Sequence, residues 1–259
     1  MKRWIVVMGF LMVPHMPAEA KPVDVQLKEG VTQGYIKVSV PAGETIAEGE
    51  VSQVAAGAER VVGRMLLRFH NGSHYDETVI FSQNRTFKLL RYSVEQKGPS
   101  FPDAFHFELD GATGAYTITE LPHSKERPAR TGKLELPPDV YNGMTVTLLK
   151  NLPESGQVSF HMLSIGRTPA LFPVVVRAED VETVKTGERK GEALHYTLRP
   201  TVGWFTRSLA WLFSETIPEY NFWLIKHDVP AFARFEGSLY RGGPIWRIEQ
   251  VSPRMTTGR

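Results

Sequence analysis

The densest run of potential metal ligands in this chain is His70-Asn-Gly-Ser-His74-Tyr-Asp76-Glu77. Imidazole and carboxylate form the donor set of zinc and related ions, which need three or four such groups converging on one point. Asn71-Gly72 is also a hairpin signal, so His70 and His74 would flank a turn and could face each other across a ladder. The spacing matches no established metal motif, and a polar hairpin end accounts for the same residues. No metal is therefore expected, and His70, His74 and Asp76 are the residues that one would use.

Covalent chemistry finds less support. The chain has no cysteine and so no thiol nucleophile. A serine nucleophile elbow needs Gly-x-Ser-x-Gly between a strand and a helix. Gly98-Pro99-Ser100 lacks the second glycine and sits between predicted strands. No glycine-rich loop precedes a helix to cradle phosphate. Asp103, Glu108 and Asp110 could in principle supply a glycosidase pair, but they stand near turns, where carboxylates are ordinary. The sequence thus points to no catalytic residue and no cofactor. A hydrolase acting on a cell-envelope polymer is the alternative to a non-enzymatic binding module.

The aromatics are more informative. Trp204, Phe205, Trp211, Phe213, Phe222 and Trp223 crowd one stretch, which holds three of the five tryptophans. Such a cluster is either core or the wall of an apolar cavity. Trp204, Leu212, Phe213, Phe222 and Trp223 are the residues expected to line that cavity. The ligand would be an apolar small molecule or lipid, and an envelope protein is the other partner considered.

Several elements must position these residues. Gln33–Val40, Val61–Phe69, Thr78–Gln83, Phe87–Gln96, Ala104–Leu109 and Ala115–Glu120 alternate as strands do, with turn residues between them. Val61–Phe69 should pair antiparallel with His74–Ser82. Lys133–Leu136, Gln157–Ile165, Leu171–Ala178, Val181–Thr186, Ala193–Pro200, Asn221–His227, Pro230–Tyr240 and Pro244–Val251 continue the pattern. Two short helices are expected. One opens at Pro137-Pro138-Asp139 with Asp139 as N-cap, and one spans Val202–Glu215 and covers the concave face. The fold class is all-β, mainly antiparallel, a curved sheet or barrel-like sandwich.

The N-terminus carries an address. Lys2 and Arg3 precede the apolar run Trp4–Val13, and Ala18-Glu19-Ala20 reads as a cleavage site, so residues 1–20 read as a signal peptide. A run of that length makes about 15 Å of helix, against ~30 Å of hydrocarbon core. The mature chain would then carry no transmembrane segment. It would form one β-rich domain over residues 21–253, with 254–259 as a frayed tail. The 259 residues include 30 basic and 28 acidic side chains, without the concentrated basic face that nucleic acid demands. The expected compartment is the periplasm, with secretion as the alternative.

Three groups of residues carry a resemblance. They are Asp76–Gln83 running through Phe87–Leu90 to Gln96–Pro102; Leu136-Pro-Pro-Asp139 with Asn142-Gly-Met and Leu148–Asn151; and Phe222-Trp-Leu224 with Pro230-Ala-Phe, Glu236-Gly, Leu239-Tyr and Gly242–Glu249. Together they resemble a group of uncharacterised exported proteins of Gram-negative bacteria, themselves distantly similar to periplasmic β-proteins of unknown function. The resemblance implies an exported antiparallel β fold and supplies no catalytic residues.

Overall fold

The computed structural model describes residues 21–121, 128–166, 168–186, 189–201 and 219–251. Antiparallel strands dominate. The N-terminal half contains β1 (Thr32–Ser39), β2 (Thr45–Ala55), β3 (Arg60–Phe69), β4 (His74–Asn84), β5 (Thr86–Lys97), β6 (Phe105–Asp110), β7 (Ala115–Glu120) and β8 (Arg130–Lys133). One short helix, α1 (Thr145–Leu149), separates these from β9 (Gln157–Ser164), β10 (Ala170–Thr186), β11 (Arg189–Pro200), β12 (Tyr220–Ile225), β13 (Ala231–Gly237) and β14 (Trp246–Val251).

The fourteen strands among the described residues belong to one sheet, in the order β8 to β1, then β14 to β9. Each half is a meander of neighbours, and the halves are joined where β1 pairs antiparallel with β14. A sheet this wide curls, because each strand pair adds right-handed twist. Curling lets β10, 17 residues long, reach β13 and β14 from across the sheet. One side of the curl collects the main core, including Ile36, Leu67, Phe81, Phe107, Phe160 and Leu198.

Around β1, β13 and β14 the outer face carries ion pairs. Arg234 binds Glu249 at 3.0 Å, Lys37 binds the same carboxylate at 3.3 Å, and Arg247 binds Glu236 at 2.7 Å. Among the described residues, no helix is long and apolar enough to cross a membrane.

Most strands lie where alternation places them, and β7 has the expected bounds. Three differences have physical reasons. Leu171–Ala178 and Val181–Thr186 are one strand, because a bulge between Ala178 and Val181 absorbs the break in alternation. β2 has no counterpart among the expected strands, since Glu48, Gly49 and Glu50 are poor strand formers held in place by β1 and β3. The helix expected from Asp139 begins only at Thr145, after Met144, which makes no side-chain cap. Asp139 is instead buried against His161, and Gly143 turns the chain at φ +71°. The expected helix over 202–215 lies outside the described residues.

Candidate functional site

Residues 139–151 do the work of an internal plug. Val140 bridges to His161 of β9, and Tyr141 N–H donates to the His161 carbonyl at 3.2 Å. The Asn142 side-chain amide binds the Leu163 backbone in both directions, at 2.9 and 2.6 Å. At Gly143 the plug presses on the opposite wall: an added Cβ would lie 2.9 Å from Val79 Cβ and 3.1 Å from Tyr92 Cε2. Tyr141, Met144, Leu148 and Leu149 are wholly buried. The plug therefore spans from β9 to β4 and β5, the two halves that no strand pairing joins at that end.

The N-terminal arm fastens the plug. Val23 N–H donates to the Tyr141 hydroxyl at 2.8 Å, and burial pushes that phenol up to about 12. Gln26 and Leu27 N–H both donate to Asn151 Oδ1. Lys150 and Glu29 form a buried ion pair at 3.0 Å.

Between plug and sheet, among the described residues, lies a cavity of about 1780 Å³. Its apolar wall includes Met65, Val79, Val94, Phe105, Phe222 and Phe232. Ligand pockets for drug-sized molecules run about 300–1,000 Å³. This one has room for something longer.

Polar side chains also reach the cavity, Gln96, Asn142 and Glu77 among them, and Glu77 stands within the apolar part of the wall. Glu77 lies on β4 between Tyr75 and Val79, with Met65 of β3 and Val94 of β5 directly across from it. Successive side chains of a strand point to opposite faces, so Glu77 turns inward while His74 and Asp76 turn outward. The Tyr92 hydroxyl donates to Glu77 Oε1 at 2.6 Å, and Tyr75 joins the network through Tyr92. Burial raises the Glu77 carboxyl above its ordinary value, and the Tyr92 hydroxyl opposes that rise. Burial and then the Glu77 charge push the Tyr92 phenol well up.

The same alternation separates the other sequence candidates. Phe222 faces the cavity. Trp223, its neighbour, faces the other way and packs with Val184, Ala193 and Ala233. Its indole stacks on His195 at 4.5 Å, donates to Glu182 at 3.0 Å and lies under Arg234. Trp204, Leu212 and Phe213 lie outside the described residues.

The histidines do not meet. The ladder partner of His74 is Arg68, and His70 lies in the turn beyond the end of β3. Asp76 is held by Arg64 through two bonds, Nε to Oδ1 at 2.9 Å and Nη2 to Oδ2 at 2.5 Å. That guanidinium hydrogen bond keeps the Asp76 carboxyl below its ordinary value. Among the described residues, no three His, Asp or Glu side chains gather as a metal set. Asp110 serves its turn by accepting from Ala112 N–H and from Thr113 N–H and Oγ1.

No protein-family model matches the chain, and no curated protein is found similar to it. Among solved structures, the chain is similar to a β-barrel-like protein of a domain of unknown function, DUF1849, from Brucella abortus. The two share 10% identity at a TM-score of 0.44, over 89% of this chain and 98% of that one.

Glu77 is the residue that sequence reasoning missed. It stood among the metal candidates because spacing along the chain grouped it with Asp76. The available signal was the strand period itself, which pairs Glu77 with Tyr75 and Val79.

Proposed function

We propose that this protein is an exported, periplasmic binding module that carries a long-chain apolar molecule inside its curled sheet, without catalysing a reaction on it. The supporting observation is the cavity of about 1780 Å³ with its aliphatic and aromatic wall. Apolar surface left inside a domain favours an apolar guest by about 25 cal/mol per Å² removed from water. Outward ion pairs such as Arg234–Glu249 and Arg247–Glu236 favour water on the outside while the guest stays inside. Export rests on Lys2, Arg3, the apolar run Trp4–Val13 and Ala18-Glu19-Ala20.

Native mass spectrometry of protein purified from the periplasm of an expressing bacterium tests this reading. The expected result is a mature chain beginning at Lys21 that carries a lipid-sized adduct, removable by organic extraction. A chain found only in the cytoplasm would refute the export. Protein that neither carries an adduct nor takes up an apolar dye would refute the carrier.

A further inference from the structure

The glutamates around the cavity differ in how they are compensated, while Asp103, the other acidic lining residue, is exposed. Glu29 has Lys150 at 3.0 Å, and Glu120 has Arg130 at 3.2 Å. Glu77 has a hydroxyl. Tyr92 satisfies Oε1, and Oε2, which no described side chain bonds, is not among the buried atoms left without a partner and so opens onto the cavity. The side chains facing Glu77 across the ladder are Met65 and Val94, which offer neither charge nor donor. Asn142, on the plug nearby, bonds the Leu163 backbone and touches the network only through the Tyr92 hydroxyl. A half-buried carboxylate without a cation of its own, beside apolar neighbours, is a favourable place for a cation that arrives with the guest.

We propose that Glu77 is the anchor for the head group of the carried molecule, and that this head group is a hydrogen-bonding cation, a primary amine on a long hydrocarbon chain. The inference rests on the carrier reading above and names the class of its ligand. The ammonium donates to Oε2 while Tyr92 holds Oε1, completing an ion pair of the kind that Glu29 and Lys150 already form. The chain then lies along Met65, Val94 and the apolar wall beyond. An anionic head group at the same place would meet Glu77 with like charge. Carboxylate and phosphate lipids are therefore disfavoured at this anchor.

The test is displacement of a bound apolar dye by three ligands of equal chain length: dodecylamine, dodecanol and dodecanoate. In the natural protein the amine should displace dye at a concentration lower than dodecanoate by about tenfold or more, the scale of one charge-assisted hydrogen bond. Glu77→Gln should shrink that advantage to about twofold, the step expected when one charge-assisted bond is lost. Tyr92→Phe should reduce it in part, because the carboxylate loses the bond that orients it. Each variant is read against its own dye affinity. Equal displacement by amine and carboxylate in the natural protein would overturn the head-group assignment, whatever the variants do. So would an amine preference that survives Glu77→Gln. If neither the dye nor any of the three chains binds, the carrier reading falls and takes this inference with it; if the dye binds without head-group preference, this inference alone falls.

Discussion

Asp139 and His161 are linked twice, once through side chains and once through backbone. The carboxylate meets His161 Nδ1 at 2.9 Å, and His161 N–H donates to the Asp139 carbonyl at 2.9 Å. Asp139 is only 2% exposed. The pair welds the start of the plug to the free edge of β9, an edge that would otherwise offer unpaired backbone groups to another chain. Replacing Asp139 with Ala leaves His161 and a buried gap without compensation. The expected cost is about 1–3 kcal/mol of stability, measured by urea denaturation.

Gly143, the glycine of the plug, should be harder to replace than Gly156 beyond its end. The φ of +71° at Gly143 disfavours any side chain, and a Cβ there would press on Val79 and Tyr92. Gly156 has φ +98° but nothing within 4 Å of an added Cβ. Gly156→Ala should therefore carry the backbone strain alone, about 1 kcal/mol, and Gly143→Ala should exceed it. Thermal melts of the two variants compare the terms directly, and equal shifts would count against close packing at Gly143.

Phe222 and Trp223 should separate binding from stability. Phe222→Ala enlarges the cavity and should change the affinity of an apolar dye. Trp223→Ala removes a ring from the outer face and should cost stability, toward the lower end of about 3–5 kcal/mol, with little effect on the dye. Dye titration and denaturation of both variants check this, and a large dye effect at Trp223 would contradict its outward placement.

The stability gap between Glu77→Gln and the natural protein should depend on pH. A raised pKa means that the folded protein holds the Glu77 proton more tightly than the unfolded chain does. That contribution is fully present below the ordinary glutamate value of 4.5 and is lost as pH rises through the folded value. Glutamine cannot ionise, so the variant should gain on the natural protein as pH rises from the ordinary glutamate value of 4.5 through the raised folded value. Urea denaturation of both proteins at acid and neutral pH measures the gap. A gap that stays constant would argue against burial of this carboxyl.

The His70 and His74 pair should be dispensable. His70 is exposed and His74 only half-buried, so replacing both with Ala should change stability by no more than about 0.5 kcal/mol. Metal-dependent stabilisation that vanished in the double variant would revive the metal reading.

The sequence by itself determined the strands and their local pairing, because alternation and turn chemistry are properties of a few adjacent residues. Val61–Phe69 facing His74–Ser82 was legible from the Asn71-Gly72 turn, and the Ala115–Glu120 strand from its own pattern. Only the tertiary structure decided what depends on neighbours distant in the chain. β2, with Glu48 and Glu50, is a strand because β1 and β3 bond it on both sides. Asp139 leaves its capping role because His161, far along the chain, offers a better partner than a helix N-terminus. Glu77 acquires its chemistry from the curl, which turns one face of β4 from solvent into the wall of a cavity. The period of the strand already assigned Glu77 and Asp76 to different faces, and long-range packing determined that the Glu77 face became the inside.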